Sequence, residues 1–525
     1  MTSIDKAAGD GTRAMLPAVY NKVVPPYNNP TSFPESAAAG KTTFSSKREE
    51  RFFVFLGSTM STFTRLQKRL SRLGIDTDYQ HSIYHLRRQR AEAQILLPEV
   101  LPLEEKAVQQ LLDFASVHMP SSDAHVCAAR ATPDFHPGTL APVGSIVATT
   151  ENFVIPAAIG TDINCGMRLL TTGVHHADAD EHKPALIQAL KNTLLLDQRD
   201  VPVTPDSFSA LFDEGLSAWL AALPMQGLWQ GVDFQRLSAE LASIAGTEAI
   251  NAHSRHAPEP FFAPRAILRP SSLGTVGSGN HFVELQIVDA VLDRHAAYQA
   301  GVKEGEVVVM IHTGSRDVGF YVGQRGIDKA RTCWPTGEKY PASGLFGLVD
   351  EHAADYMEAM GVAARYAWIN RIVLTELIRS SWKQVFTRDT SKLVVDLSHN
   401  IILPEHGMNL HRKGATPAKA GEFALIPGSM GDYSYLVTGK GNPDWLWSCS
   451  HGAGRAERRQ SMRNKVDTAN QVDALPWQCI TLKEERLREE APAAYKPVTP
   501  VIDIQEQSGL IQPVARLRPW LTFKA

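Results

Sequence analysis

Cysteine is scarce in this sequence. Five in 525 residues is an odd number, and too few for a disulfide framework in a chain of this length. The expectation is five reduced thiols in a cytoplasmic protein, with Cys127, Cys333, Cys449 and Cys479 mostly buried as small apolar side chains. Long apolar runs are missing as well. No uninterrupted stretch approaches the roughly 20 residues that span a bilayer, and the opening MTSIDKAAGDGTRAML holds no apolar core of a secretory signal. An excess of positive charge is absent too. The formal net charge is −3, so no global basic field advertises a polyanionic partner, although a local basic groove can sit on a neutral protein. There is no repeat of fixed period. The Gly-rich loops GTVGSGN (274–280) and PGSMG (427–431) lack the terminal Gly-Lys-Ser/Thr of a Walker A motif, and neither fits a Rossmann fingerprint. What is left is ordinary: 43% apolar and 21% charged residues, the balance of a soluble globular protein with a substantial core.

Organisation along the chain is uneven. Residues 1–50 are rich in Pro, Gly, Ser, Thr and Asn without periodicity and read as a flexible arm. RFFVFLG (51–57) reads as a short strand. Phe63, Leu66, Leu70 and Leu73 follow at helical spacing. Arg65, Lys68, Arg69, Arg72, Arg87, Arg88 and Arg90 decorate this small basic extension, 51–94, either as a solvated face or as a nucleic-acid contact. From about 95 the chain becomes denser, and 95–525 is expected to form the main domain. Helices are expected around 183–197, 209–223 and 349–386. In the last, Tyr356, Met360, Ala364, Trp368 and Ile372 form a core stripe. A second pattern carries more information. VVVMI runs into HTGSR, KLVVDL into SHN, FALI into PGSMG and WLWSC into SHGAGR, while GTVGSGNH runs into FVELQIV. Strands that deliver polar, glycine-rich loops are how a rigid sheet builds a site, and five of them point to one shared cleft.

Three constellations carry chemistry. In GTDINCGM, Asp162 and Cys165 lie three apart between glycines, where a turn can aim both at one ion; thiolate plus carboxylate suits a borderline metal. The plainer alternative is a turn Asp and a buried Cys. His281, His312 and His399 each sit at a strand–loop junction. A lone His there is more often a hydrogen-bonded structural residue. Three of them with Asp162 and Cys165 are enough ligands for two metals, about 4 Å apart if one ligand is shared. In SHGAGR, the small residues after His451 let backbone approach a phosphate and form an anion nest. Arg455 can add a bidentate contact, and His451 becomes a candidate nucleophile toward phosphorus; otherwise this is a tight turn. PGSMG and GTVGSGN share the phosphate-cradling composition.

Taken together, these segments resemble the RtcB family of RNA-splicing ligases. TPDFHPG, VIPAAIGTDINCGM, GTVGSGNHFVEL, HTGSR, SHN, HRKGA, IPGSMGDYSY, SCSHGAGR and the terminal LRPWLTFKA occur in the family's order over roughly 95–525. The resemblance implies an α+β fold with a central, mostly antiparallel β core, surrounding helices and a deep metal-binding cleft. It implies a GTP- and manganese-dependent ligase in tRNA splicing or RNA repair. Such an enzyme joins RNA 3′-phosphate or 2′,3′-cyclic phosphate ends to 5′-hydroxyl ends through a guanylylated histidine, with an archease-type activator as a further partner.

Residue by residue, it implies His451 as the nucleophile that carries GMP and Asp134 as an acid in catalytic support. Asp162, Cys165 and His281 would hold one Mn(II). Cys165, His312 and His399 would hold the other, with the Cys165 thiolate bridging. The guanylate site would draw on Asn280, His281, Phe282, Val283 and Glu284, with His399 and Asn400. Pro427, Gly428, Ser429, Met430 and Ser434 would join them, and His451, Gly452, Ala453, Gly454 and Lys524 would complete it. The sequence departs from the family pattern at Arg458, where Ser precedes Arg459 in the usual form, and at Asp317, Ser278 and Pro417. The N-terminal extension lacks a clear counterpart. These departures touch no implied ligand and bear on substrate preference. Two rivals use the same scaffold: a metal-dependent phosphoesterase, which needs the metals but not His451, and a non-catalytic RNA-binding protein.

Overall fold

The computed structural model describes residues 65–120, 122–463 and 477–525, all within one of two units of the chain, Gly57–Ala525. The arm at 1–50, the RFFVFLG strand and Phe63 lie outside the described residues. The architecture is mixed α+β, built on two large sheets. The first runs in the order Asp76–Gln80, Ile83–Arg88, Ala91–Leu96, Val126–His136, Val143–Thr149, Met408–Lys413, Asn400–Glu405. The second runs Lys392–Ser398, Gly166–His175, Glu306–Thr313, Phe282–Val291, Ile511–Lys524, Ser434–Gly439, Phe423–Ile426, with Gln478–Thr481 added beside Ile511–Lys524. Pairing is antiparallel except between Ala91–Leu96 and Val126–His136 and between Gln478–Thr481 and Ile511–Lys524.

Period-two alternation splits each strand between two environments. On Phe282–Val291, Val283, Leu285 and Ile287 enter a cluster with Val307, Val309 and Ile311 of the neighbouring strand. That face is covered by Leu186, Leu190 and Leu194 of helix Lys183–Leu194 and by Leu374, Ile378 and Trp382 of helix Asp350–Phe386. Met310, Val308 and Met167 point the other way, into a second cluster with Leu425, Leu436 and Leu517. The Asp350–Phe386 helix is buried on nearly every side over its middle turns. Tyr356, Met360, Ala364, Trp368 and Ile372 are all in the core, and so are the polar Asn370, Arg371 and Glu376, which no apolar stripe announces. The stretch around 209–223 divides into helices Pro205–Asp213 and Leu216–Ala221, because Gly215 at φ 113° breaks the run where a side chain would be strained.

One expectation is corrected. Only Cys449 of the four remaining cysteines is buried; Cys333 and Cys479 are half-buried and Cys127 is exposed, because its strand turns that residue to the solvent face. The basic segment is less free than its composition implies. Arg69 pairs with Glu105, Arg87 with Glu92 and Arg88 with Asp113. Leu70, Leu86, Ala93 and Ile95 pack with Leu111, Ala129 and Val501, so strands from residue 76 onward extend the sheet that carries Asp134. No described helix is long and apolar enough to cross a membrane.

Truncating Ile95, which is fully buried in that cluster, should therefore lower global stability by about 2–4 kcal/mol. The check is the urea midpoint of Ile95→Ala. A loss under about 1 kcal/mol would mean that the 76–96 strands fold independently of the rest.

Candidate functional site

Strand register explains why distant segments meet. At one end of the second sheet, Ser398 pairs with Gly166 and Gly166 with Thr313. One step further in, Met167 pairs with His312 and His312 with Phe282. Cys165, His281, His312 and His399 are thus the residues at, or just beyond, the ends of four adjacent strands. After His399 the chain enters Asn400–Glu405, a strand of the first sheet, and Gly414 donates its backbone N–H to the His399 carbonyl at 2.7 Å. The site forms where the chain crosses from one sheet to the other.

Five ligand-type atoms form a chain there. Asp162 Oδ2 lies 3.1 Å from His281 Nε2, and His281 Nε2 lies 3.2 Å from Cys165 Sγ. Cys165 Sγ lies 3.2 Å from His312 Nε2, which lies 3.3 Å from His399 Nε2. The Cys165 sulfur is the middle member. Cys165, His281 and His312 offer atoms all within 4.8 Å of one another, a spacing that could hold a metal ion. The donor chemistry fits a borderline transition metal: thiol, imidazole and carboxylate with no lysine among them. Burial lowers the basicity of His312 and His399, helped by neighbouring histidines, so both present neutral rings. Burial raises the Asp162 carboxyl, but the facing His281 more than reverses this and holds it below the usual range. Burial and Asp162 push the Cys165 thiol up, a tendency that a bound cation would invert.

The loops are held by residues that sequence reading missed. Asn164 takes a left-handed φ of 53° and donates to the Ala364 carbonyl at 2.6 Å. Gly314 is required by space: a Cβ there would lie 2.4 Å from Asp162 Oδ1. Behind both loops sits Arg371, fully buried. It donates to the carbonyls of Asn164 (2.9 Å) and Thr313 (3.1 Å) and pairs with buried Asp396 at 2.9 Å. Arg371 is one of three arginines in the helix, with Arg365 and Arg379, and nothing in the sequence set it apart. Arg316 approaches His281 Nδ1 at 3.5 Å from the first position of helix Arg316–Thr332.

Beside this cluster, His451 follows strand Ser448–Ser450, and its ring centroid is 4.7 Å from that of His399. Its Nδ1–H donates to Asp134 Oδ2 at 2.6 Å. Asp134 is fully buried and its Oδ1 also accepts from the Thr132 hydroxyl at 2.6 Å. Burial pushes that carboxyl up, but the bonds from His451 and Thr132 outweigh it and keep it below its ordinary value. The turn after His451 is tight: Gly454 has φ 79°, and a Cβ there would sit 2.2 Å from the Asp134 carbonyl oxygen.

A pocket opens next to His312 and the turn after His451. It is lined by Asn280, Phe282, Glu284 and Lys524, by Pro427, Gly428, Ser429 and Met430, and by Gly452, Ala453 and Gly454. Met167, Glu490, Tyr495 and Thr522 also line it and were not foreseen. Lys524 Nζ donates to the His281 carbonyl at 3.2 Å and lies 5.9 Å from the Phe282 ring centre. Glu284 is held by Thr522 and by Gln286 Nε2, which also donates to Ser434 Oγ at 2.9 Å. Ser434 thus lies behind Glu284. Asn400 stands by the metal-type cluster, donating to the Asp162 carbonyl at 3.1 Å. The Val283 side chain faces the opposite side of the strand, in the apolar cluster, so only its backbone can serve the pocket.

The phosphate-cradle reading needs adjusting. The Ala453 N–H is already taken by the Pro427 carbonyl. Arg455 is engaged by Glu490, the Glu489 carbonyl and Tyr495. Arg459 pairs with the same Glu490 at 2.9 Å. Of the departures, Ser278 is exposed, and Asp317 is an acid in the first turn of its helix, where it opposes the dipole favourably. Pro417 ends strand Ala415–Pro417.

Comparison with known proteins decides the family. The sequence profile described as tRNA-splicing ligase RtcB matches residues 114–525. The chain belongs to the RtcB family. Two relatives named tRNA-splicing ligase RtcB are each 32% identical. The protein of Thermococcus kodakarensis matches over 445 residues, 74% of this chain and 85% of its own. That of Aeropyrum pernix matches over 443 residues, 74% of this chain and 86% of its own. The RtcB profile spans every site residue described above, from Asp134 to Lys524, and RtcB proteins are enzymes.

Arg371→Met should remove the brace behind both ligand loops. Breaking a buried ion pair on one side costs about 3–5 kcal/mol, and the loosened loops should take up less divalent transition metal per chain. Chemical denaturation and elemental analysis read the two effects. Unchanged stability and metal content together would dismiss the brace.

Proposed function

We propose that this RtcB-family chain is a GTP- and manganese-dependent RNA ligase. It seals RNA 3′-phosphate or 2′,3′-cyclic phosphate ends to 5′-hydroxyl ends in tRNA splicing or RNA repair. The observation that carries the reading is the 2.6 Å contact from His451 Nδ1 to buried Asp134, beside a pocket and a Cys/His cluster. With its proton on Nδ1 and directed at a carboxylate, the ring keeps its lone pair on Nε2, the form of a nucleophilic imidazole. A phosphoesterase would use the metal-type cluster and has no need of such an oriented histidine. A non-catalytic RNA-binding protein would need neither.

The steps follow from this chain's own groups. His451 Nε2 attacks the α-phosphorus of GTP; the N–P bond forms, the bond to the β-phosphate oxygen breaks, and pyrophosphate leaves with the electron pair. The proton stays on Nδ1, so the guanylylated ring is cationic and the Asp134 carboxylate opposes that charge. Glu284, Lys524, Asn280, Phe282 and the Pro427–Met430 loop would hold the guanylate, with Asn400, Ser434 and the backbone of Val283 in support. GMP then passes to an RNA 3′-phosphate, a cyclic phosphate having first been opened by water. Finally the 5′-hydroxyl attacks the activated end and expels GMP. Asp162, Cys165 and His281 would hold one Mn(II), and Cys165, His312 and His399 the other. The ions would neutralise charge on the transferring phosphoryl groups. The machinery so assigned lies within 95–525, with the arm 1–50 and the basic extension 51–94 outside it. A cytoplasmic setting and an archease-type activator belong to the same proposal.

Label from α-labelled GTP should appear on the wild-type protein and not on His451→Ala. That variant should also fail to ligate from GTP, yet still seal RNA whose 3′-phosphate already carries GMP, because a nucleophile is confined to its covalent steps. His312→Ala should fail in both assays. Ligation from GTP by His451→Ala would assign the nucleophile elsewhere.

Cys165→Ser should impair both metal positions, since the shared place favours a soft thiolate. Two Mn(II) per chain and normal turnover in that variant would exclude the bridging role.

A further inference from the structure

The segment Ala494–Val498 is tied to three stretches around His451: the turn that follows it, the loop after Met430 and the strand that carries Asp134. The Ala494 carbonyl accepts from the backbone N–H groups of Ala456 and Glu457. Lys496 N–H donates to the Gly454 carbonyl at 2.9 Å. Val498 N–H donates to Asp432 Oδ2 at 2.9 Å, in the loop that follows Met430. At its centre the Lys496 side chain is buried, with 3% of the residue exposed. Its ammonium donates to the carbonyls of Pro133 (3.1 Å) and Phe135 (2.6 Å). Those are the carbonyls of the two residues on either side of Asp134. A buried lysine is costly unless it is paired and hydrogen-bonded. This one is set where its donors lock the backbone that aims Asp134, while its charge lies behind the carboxylate.

We propose that Lys496 is a positioning residue for the nucleophile: it fixes Asp134 as an ionised acceptor, and through Asp134 holds His451 with Nδ1 protonated and Nε2 free to attack. The inference rests on the guanylylation reading above. The charged and titratable groups that face Lys496 are consistent with it. Asp134 and the half-buried Glu104 favour the ammonium, while burial lowers its basicity to about 8. His136, which donates through Nδ1 to the Asp134 carbonyl at 2.7 Å, is driven by burial down to about 3. It is neutral and does not compete as the cation behind Asp134. Arg458, one of the departures from the family pattern, acts on Glu104, one residue group away from the same lysine. In the covalent step Lys496 moves no proton. It stabilises the anion that balances the cationic guanylyl-imidazole, in the way an orienting group supports a catalytic histidine.

The test is a cycle on the full chain with Mn(II) and GTP. Lys496→Gln keeps a neutral donor for one carbonyl. It should slow self-guanylylation by about 10- to 100-fold, with the KM for GTP and the Mn(II) content within about threefold of wild type. Sealing of RNA already guanylylated at its 3′-phosphate should be unchanged. Lys496→Arg, which retains the charge, should recover most of the rate. In an Asp134→Asn background, Lys496→Gln should add nothing, because the two residues act as a unit. An unaltered guanylylation rate would overturn the role. So would equal losses in both half-reactions, or additive losses with Asp134→Asn. If Lys496→Gln does not fold, Lys496→Met carries the same readouts; failure of all the variants to fold would assign the lysine to structure alone. A wild type that takes no label from GTP overturns the guanylylation reading itself, and this role with it.

Discussion

The ligand-type cluster rests on one buried ion pair. Arg371 and Asp396 are fully enclosed, and desolvating two such charges is worthwhile only where further hydrogen bonds complete the arrangement. Here they do. The guanidinium directs further donors at the carbonyls of Asn164 and Thr313, the residues next to Cys165 and His312. Asp396 belongs to the strand that ends at Ser398, just before His399. One pair thereby sets the positions of three of the five ligand-type side chains. It does so from the core side, leaving the cleft side free for chemistry.

Around that brace, burial and charge divide the site into two electrical regimes. Desolvation keeps His312 and His399 neutral, the state in which imidazole can donate a lone pair. Across the cleft, desolvation is overruled at Asp134 by the bonds from His451 and Thr132, which keep an anion ready before any positive charge develops. Preorganisation of this kind costs stability locally and removes reorganisation at the moment of reaction.

Much of this was legible in the sequence, and for a physical reason. Glycine-rich loops at strand ends carry their chemistry in short, local strings, so GTDINCGM, GSGNH, HTGSR, SHN and SHGAGR could each be read without knowing the fold. The long helix also followed from periodicity, and the α+β class from the family resemblance. What escaped were residues whose meaning is not local. Arg371 looks like either of the other arginines in its helix until its partners, contributed by three other segments, are known. Lys496 looks like a surface lysine until burial is known. Val283 was read with its neighbours Phe282 and Glu284, which line the pocket; strand alternation turns its side chain into the core. Arg455 was read as a phosphate contact, but Glu490, thirty-five residues further on, holds it. The same effect ties up part of the basic N-terminal face, where acids from other elements pair with arginines that composition alone leaves free.

The passage of the chain from one sheet to the other at His399 has a mechanical consequence. In many two-layered enzymes the cleft between layers doubles as a hinge, opening to admit substrate and closing over it. Here the seam between the layers is the ligand cluster itself, and a hinge through it would pull His399 away from His312. The two sheets are stitched at the point where they would have to part. RNA must therefore approach the site along loops that can yield without disturbing the seam.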